Sequence, residues 1–534
     1  MNGGTRGWPK LEGKAAWAAL LLILVLAAAI RVWHYDYEVG RSFTYDTDTK
    51  IKHALRVAHG ELAPENWKQP YFLPYAGGAL LALVSWFTPL DGALAERVLT
   101  LLMIAFALGS IALTERLATR AFGERGIGLL AALLLAVAPI HVTGARYIKE
   151  DMPLVFFVQL ALLQLLGVVQ HGRPRDYLTA GIAAGVAIGT KFSAVLLAPM
   201  LLVAHALHVR DQRGGPRALL SVWVAVGLLC IAVGYCLVNP LVVLHLEDFA
   251  RGFLYQAKYS SGAHHDGTLV SPWTHYWLFY FKRALLPGLT LIPTFAFAVA
   301  LARLATEPDA RRNSGALLLA AWVVLAYFAF ERSTAKPFPF FARYVHPLIP
   351  ALSVLAAWTL WSLPTSLRAW LAPAPARLLA ATAVAGAVIW PLTHSVIITS
   401  ELTQDTRLRA AEWMTAHLPR GSKIALDDGF YSPRPHKSQF DLKYFGLVSR
   451  RIYDEPVERL RRRGFHYVVL NSFRTERFRI ARFDSKDAER AHQFYESVRK
   501  KCRLIQTVAP PHSLQTYGFH NPVIQIYELP RKGK

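Results

Sequence analysis

Two carboxylates stand two residues apart in residues 43–50, which read FTYDTDTK and follow the first apolar run of the chain. Carboxylates near a membrane face can act as general bases, and their oxygens can bind a divalent cation such as Mg²⁺ or Mn²⁺. The alternative is a solvated turn in which Asp48 or Thr49 caps the next helix. Asp46 and Asp48 are therefore candidates for catalysis and, if the protein holds a metal, its candidate ligands.

A second charged cluster occupies residues 146–153, which read RYIKEDMP, between two apolar runs. Acidic groups at a membrane boundary are costly to keep ionised unless they are paired or hydrated. Arg146 and Lys149 could pair with Glu150 and Asp151, or they could be plain interface anchors. If the fold brings this cluster to the same side of the membrane as Asp46 and Asp48, carboxylates from both clusters could form one site.

Cations and histidines complete the set of candidates. Lys191 ends a glycine-rich stretch, and Arg343 lies in a segment rich in aromatic residues. A cation held there could neutralise a phosphate, although a lysine near a helix end can also simply extend its ammonium to water. His264 and His265 are not accompanied by the spacing of a zinc site, so a polar contact with substrate is the better interpretation of His265.

A membrane-embedded scaffold must position these side chains. Of the 534 residues 53% are apolar, and apolar runs recur from Ala15 to Ser400 and then stop. A run of roughly 18 apolar residues is needed to cross a hydrocarbon core about 30 Å thick. The sequence therefore predicts a polytopic α-helical membrane protein with about eleven spans plus surface helices. The predicted spans lie near 15–32, 96–114, 127–144, 153–170, 178–190, 192–208, 218–238, 285–302, 314–330, 344–361 and 377–398.

The distribution of Lys and Arg predicts how the spans are oriented. The basic loops alternate as the positive-inside rule requires if the N-terminus, with Arg6, Lys10 and Lys14, is cytoplasmic. The alternation requires that the short apolar segment 72–88 is a helix on, or dipping into, the outer surface. Basic loops account for much of the net charge of +23, so lipid head groups rather than nucleic acid are the expected partner. The outer side then carries loops 33–95, 145–152, 239–284 and 331–343 and the C-terminal tail.

The tail, residues 401–534, is predicted to be a small soluble α/β domain, distinct from the membrane domain 1–400. A helix over 405–417 precedes two short buried strands, and further helical stretches follow. The tail has no glycine-rich phosphate loop and no nucleophile elbow, so docking or acceptor recognition is its expected role. The remaining predicted elements are strands at 423–426 and 467–470 and helices near 455–463 and 486–499.

Over its first 400 residues the chain resembles the GT-C class of membrane glycosyltransferases. The resemblance is to the branch of protein O-mannosyltransferases and lipid A aminoarabinose transferases, which is glycosyltransferase family 39-like. An early outer-loop aspartate, a helix and a Gly-acidic-Leu-x-Pro turn are similar to Asp46 and residues 60–64. The family often has Asp-Glu where this chain has Asp46-Thr47. Three further motifs, Arg-Tyr-x-x-x-Asp-x-Pro, a glycine-rich helix ending in Thr-Lys, and Arg-Tyr-x-x-Pro-x-x-Pro, are similar to residues 146–153, 189–191 and 343–350.

The resemblance implies an inverting transfer of a hexosyl or pentosyl group from a polyprenyl-phosphate-linked donor to a protein, lipid or polysaccharide acceptor. The reaction would occur on the extracytoplasmic face of the inner membrane. Asp46, or Asp48 in its place, would deprotonate the acceptor hydroxyl, and Asp151 would orient the acceptor or a cation. Lys191 and Arg343 would stabilise the phosphate leaving group. The implied substrate-binding residues are Arg146, which could instead orient Asp151, and Glu150, Lys191, Arg343, Tyr344 and His265.

Two other classes of function compete with this interpretation. A secondary transporter would use membrane-boundary acids for ion coupling, but it predicts charges deep within spans and detectable sequence halves, and the sequence has neither. A non-catalytic scaffold would use the spans as an anchor and the tail to bind partners. In that case the acidic loops and the opposing cations would be accidental, and removing both acids would leave activity unchanged.

Overall fold

The computed structural model describes Trp8 and residues 12–336, 340–446, 450–512 and 517–530. Two features of the sequence analysis lie outside the described residues. They are the N-terminal cations Arg6 and Lys10 and residues 337–339 of the predicted outer loop 331–343.

The first 400 residues form helices of very different length. The helices are α1 (Gly13–Val32), α2 (Thr47–Ala58), α3 (Phe72–Ser85), α4 (Gly92–Phe122), α5 (Arg125–Val137), α6 (Pro139–Gly144), α7 (Asp151–His171), α8 (Pro174–Thr190), α9 (Leu197–Asp211), α10 (Val222–Val238), α11 (Leu246–Ser261), α12 (Leu286–Leu289), α13 (Leu291–Thr306), α14 (Ser314–Arg332), α15 (Ile349–Leu367) and α16 (Pro373–Ser400).

Eight helices of the described ranges are long and apolar enough to cross a membrane. They become nine if Phe281–Leu289 and Leu291–Thr306, which are bent by 111°, form one span. The other two predicted spans coincide with α8 and with the pair α5 and α6, which Pro139 interrupts. The polytopic helical architecture is thus confirmed, and the number of eleven crossings stays a prediction.

Local sequence sets where these helices begin and end. The carboxylate of Asp91 accepts a hydrogen bond from the backbone N–H of Leu94 at 2.6 Å and caps α4, which ends at Gly123 in the left-handed region with φ of 69°. Asn313 caps α14 in the same way, through the N–H of Ala316 at 2.8 Å. Polar caps and a glycine therefore delimit runs that are otherwise apolar.

Glycines allow α8 and α10 to pack in close contact. A Cβ atom added at Gly181 would overlap the carbonyl oxygen of Gly227, and one added at Gly185 would overlap that of Ile231. Small residues at such an interface are what close helix approach in a membrane requires. The contact holds the C-terminal end of α8, where Lys191 follows, against the rest of the helical bundle.

The loops predicted to share the outer side do meet one another and the tail. Asn239 accepts a hydrogen bond from the backbone of Tyr71 at 2.6 Å, which joins the loop after α10 to the first outer loop. Arg477 of the tail forms a buried ion pair with Asp266 of the loop after α11. The loops and the tail therefore form one continuous layer at one end of the bundle.

The tail folds around a five-stranded sheet, so the predicted C-terminal α/β domain is present. The strand order is β3-β2-β4-β7-β6, in which β2 runs parallel to β3 and β4 while β7 runs antiparallel to β4 and β6. The short strand β1 of the loop after α11 pairs with β5 of the tail. The tail helices are α17 (Thr406–His417), α18 (Val457–Arg462), α19 (Ser472–Ile480) and α20 (Lys486–Lys501). The strands are β1 (Thr268–Leu269), β2 (Lys423–Leu426), β3 (Asp441–Tyr444), β4 (Tyr467–Asn471), β5 (Arg482–Phe483), β6 (Arg503–Val508) and β7 (Ile524–Glu528).

Each helix and strand predicted for the tail coincides with one of these elements to within a few residues. The two predicted strands are the central β2 and β4, whose residues are almost all buried. The boundary between the two domains at residue 400 stays a prediction.

The glycine contact between α8 and α10 can be tested with a single methyl group. We expect Gly185→Ala to lower the unfolding free energy in detergent by about 2 kcal/mol, because the new Cβ has no space beside the Ile231 carbonyl. Gly215→Ala is the matched control, since a Cβ there meets nothing within 4 Å. Equal melting temperatures of the two variants would contradict the close packing.

Candidate active site

Three consecutive residues, Lys149, Glu150 and Asp151, each form an ion pair with a residue from another part of the chain. Lys149 pairs with Asp46, Glu150 pairs with Lys50, and Asp151 pairs with Lys191. Lys149 and Glu150 directly precede α7 and Asp151 is its first residue, so the start of a span directs the three side chains. The two acidic clusters recognised in the sequence are therefore brought together, with a cation opposite each acid.

Asp46 precedes α2 and has a backbone conformation that is uncommon outside glycine. Its φ of 72° is in the left-handed region, which Asp tolerates better than most residues. Its side chain makes no capping hydrogen bond to α2. The carboxylate is instead 40% exposed, and its Oδ2 lies 3.1 Å from Lys149 Nζ. The turn thus presents this carboxylate to the cluster and leaves part of it open to another group.

Lys50 and Glu150 form the central pair, in which Glu150 is buried and the Lys50 side chain is 11% exposed. The Lys50 ammonium also donates a hydrogen bond to Gln69 Oε1 at 2.8 Å. Burial raises the pKa of the Glu150 carboxyl, but Lys50, Lys149 and Lys191 together lower it further, and the net pKa falls below its usual value. Glu150 is therefore held as an anion by the cations around it.

The third pair connects α7 with the residue that ends α8. Lys191 Nζ donates to Asp151 Oδ1 at 2.6 Å and lies 5.2 Å from the centre of the Tyr344 ring. The Asp151 side chain is 6% exposed and that of Lys191 is 23% exposed. Part of the Lys191 side chain is thus accessible to a ligand, whereas the Asp151 side chain is buried.

Arg343 approaches the same cluster from the segment before α15. The carboxylates of Asp151 and Asp46 both attract its guanidinium, which lies 5.9 Å from the ring centre of Phe519. Among the described residues no carboxylate comes within ion-pair distance of Arg343. The charge of the Arg343 guanidinium is therefore only partly neutralised by the protein, and a guanidinium of this kind can bind a phosphate through charge-assisted hydrogen bonds.

A cavity of about 370 Å³ opens beside these pairs. Its polar end includes Glu150, Lys191 and Tyr344, and most of the remaining wall is apolar. The far wall comes from α11 and from the end of α14. The further lining residues include Phe192, Leu196, Phe253, Tyr259, Tyr280 and Phe330.

Three of the residues singled out in the sequence lie away from this cluster. Asp48 accepts a hydrogen bond from Ser42 Oγ at 2.9 Å and lines a separate open groove with Lys52 and Glu96. The exposed His265 stacks on Tyr259, with ring centres 4.6 Å apart, behind the cavity wall.

Arg146 is the third of these residues, and it is buried among the spans. It donates to the Thr399 hydroxyl at 3.0 Å and to backbone carbonyls of α1 and of the turn after it. Its described hydrogen bonds thus join α1, α6 and α16. The catalytic role of Asp48 and the substrate-binding roles of Arg146 and His265 stay predictions.

The structure also adds residues that the sequence analysis did not place in the site. Lys50 lies four positions after Asp46, a helical spacing that could have indicated a shared face. Phe519 comes from the tail and stacks on Phe340 with ring centres 4.4 Å apart. The backbone N–H of Phe519 donates to the hydroxyl of Tyr147 at 2.9 Å. Local sequence patterns do not predict that Phe519 lies here, because Phe519 and Tyr147 are 372 positions apart in the chain.

The residues present do not fit a divalent cation at Asp46. A lysine ammonium already occupies its Oδ2 side, and Asp48 bonds to Ser42 in a different groove. Among the described residues no group of three or more His, Cys, Asp or Glu side chains could hold a metal ion.

The fold and this site can be compared with known proteins. Residues 78–239 match the family model of dolichyl-phosphate-mannose-protein mannosyltransferase. An uncharacterized protein of Aquifex aeolicus (strain VF5) is 30% identical over 146 residues, which span 27% of this chain and 28% of that protein. The matched region is therefore little more than a quarter of that relative.

Similarity to solved structures extends over nearly the whole chain. ArnT from Cupriavidus metallidurans bound to undecaprenyl phosphate has a TM-score of 0.53 at 16% identity, covering 96% of this chain and 98% of its own. The apo oligosaccharyltransferase of Archaeoglobus fulgidus has a TM-score of 0.52 at 14% identity, covering 89% and 72%. AglB of the same organism, in complex with an inhibitory peptide and a dolichol-phosphate, has a TM-score of 0.51 at 12% identity, covering 87% and 70%. The chain has the fold of the GT-C class of membrane glycosyltransferases, as the sequence resemblance implied.

The pair of Asp151 and Lys191 can be tested as a buried ion pair. Lys191→Met leaves the Asp151 carboxylate buried without its ammonium, so we expect a loss of about 2 kcal/mol in unfolding free energy. Adding Asp151→Asn removes the stranded charge, and the double variant should be more stable than the single one. Thermal unfolding in detergent measures both. A double variant no more stable than Lys191→Met would show that the pair is not coupled.

Proposed function

We propose that the protein is an inverting glycosyltransferase that moves a hexosyl or pentosyl group from a polyprenyl-phosphate-linked donor to an acceptor hydroxyl. The observation that carries this proposal is the cluster of ion pairs that holds Asp46 and Lys191, with Arg343 nearby, next to a largely apolar cavity that Glu150, Lys191 and Tyr344 line. A carboxylate that can take a proton, cations that can hold a phosphate and an apolar wall are the three elements that such a reaction needs.

The cavity supports a lipid donor. Its apolar wall suits the first isoprenoid units of a polyprenyl chain, and Lys191 in its lining suits the phosphate. Arg343 does not line the cavity, but like Lys191 it lies over the ring of Tyr344, which does. The similar fold of ArnT was solved with undecaprenyl phosphate, and that of AglB with a dolichol-phosphate. Both ligands are polyprenyl phosphates, the class of leaving group proposed for this chain.

Asp46 is the proposed general base. Its partly exposed carboxylate removes the proton of the acceptor hydroxyl as the hydroxyl oxygen bonds to the anomeric carbon. The bond from that carbon to the phosphate oxygen breaks, and polyprenyl phosphate leaves with the electron pair. Arg343 and Lys191 stabilise the charge that develops on the phosphate, and attack opposite the leaving group inverts the anomeric carbon.

The proposed acceptor approaches from the layer formed by the outer loops and the tail. Tyr45, next to the base, contacts Phe430 of the tail edge-to-face at 5.2 Å, so the tail borders the access to Asp46. This arrangement favours a role for the tail in recognising a protein, lipid or polysaccharide acceptor. We propose that this layer faces the extracytoplasmic side of the inner membrane and that the N-terminus is cytoplasmic.

The proposed base can be tested against its neighbour in sequence. We expect Asp46→Asn to lower sugar transfer by a factor of about 100 or more, because an amide cannot accept the proton. Asp48→Asn is the matched control and should change transfer by less than about threefold, since Asp48 lies in another groove. The assay follows the loss of radiolabelled sugar from a panel of polyprenyl-phosphate donors in membranes that contain each variant.

The outcomes of this assay separate the parts of the proposal. Donor consumption by the wild type and by Asp48→Asn, but not by Asp46→Asn, supports the donor class and the base together. Equal consumption by all three proteins would overturn the assignment of Asp46. A wild type that neither consumes nor binds any donor of the panel would overturn the proposed function.

A further inference from the structure

Lys149 lies against the carboxylate of Asp46, the proposed base. Its ammonium lies 3.1 Å from Asp46 Oδ2 and 2.5 Å from the carbonyl oxygen of Tyr45. Its side chain is only 4% exposed, and the Phe519 ring lies 5.5 Å away on the side of the tail. A carboxylate and a carbonyl oxygen are ligands that Mg²⁺ and Mn²⁺ also take, so the lysine fills a small oxygen-lined cation site.

Burying the Lys149 ammonium costs free energy, and apolar packing does not offset that cost. A lysine ammonium is strongly hydrated, and its burial is favourable only where oxygen acceptors replace the lost water. Here the described acceptors are the carboxylate and the carbonyl beside the proposed base. The arrangement fixes the Asp46 side chain and places one positive charge against it.

We propose that Lys149 is the positioning residue for the base, in the place of a divalent cation, and that the transfer reaction therefore requires this lysine and no metal. The proposal rests on the proposed glycosyltransferase function. It assigns to Lys149 one effect on Asp46, namely a fixed orientation of the carboxylate toward the acceptor hydroxyl.

Four proteins test the proposal in the donor-consumption assay, namely the wild type, Lys149→Ala, Lys149→Arg and Lys52→Ala. We expect Lys149→Ala to lower the maximal rate by about tenfold or more with little change in the KM for the donor, since the phosphate contacts are untouched. Ethylammonium should restore much of that loss. Lys149→Arg keeps a cation beside Asp46 and should retain activity. Lys52→Ala removes an exposed lysine from the loop that carries Asp46 and should behave as the wild type.

Chelation tests the metal part of the proposal. An excess of EDTA should leave wild-type transfer unchanged, and its abolition by EDTA with restoration by Mn²⁺ would overturn the proposal while leaving the glycosyltransferase function intact. Transfer by Lys149→Ala at the wild-type rate would also overturn it. A Lys149→Ala protein that ethylammonium does not restore, although it binds donor normally, would contradict the positioning role.

Direct metal binding gives a readout that does not depend on activity. Electron paramagnetic resonance of added Mn²⁺ should show the same binding to wild type and to Asp46→Asn, because the lysine excludes the ion from Asp46. Binding to the wild type that is lost in Asp46→Asn would overturn the proposal even if no donor were ever consumed.

Discussion

The cost of burying charge at a membrane boundary is the constraint on which this site depends. Glu150 and Asp151 lie where an apolar span begins, and neither could remain ionised there without a partner. Lysines from two other segments supply the partners, and Lys149 in the same triplet pairs with Asp46. Because these partners come from two other segments, with Asp46 and Lys50 in one and Lys191 in the other, neutralising the triplet also brings the site together.

The helices and turns around the triplet hold its ion-pair partners in position. The glycine contact between α8 and α10 fixes the end of α8, and Lys191 follows it directly. The left-handed turn at Asp46 keeps its carboxylate off the helix that it precedes. The tail closes the arrangement, with Phe519 near both Lys149 and Arg343. The tail thus packs directly against the candidate site.

Sequence patterns predicted the membrane scaffold and most of the tail, because hydrophobic runs and strand-length apolar segments are local signals. They also singled out Asp46, Asp151, Lys191 and Arg343, which the fold brings near one another. They could not pair Lys50 with Glu150, which are 100 residues apart. Nor could they separate the environments of two acids only two positions apart, since one backbone turn directs them to different surfaces. The bend of 111° before α13 is likewise a result of packing that hydropathy does not encode.

An experimental structure of the protein with a bound polyprenyl phosphate would test the central claim most directly. The account predicts that the phosphate contacts Arg343 and lies beside Lys191, that the isoprenoid chain enters the cavity walled by α11, and that Asp46 remains paired with Lys149. A phosphate bound in the groove of Asp48, or a metal ion between Asp46 and the phosphate, would contradict it.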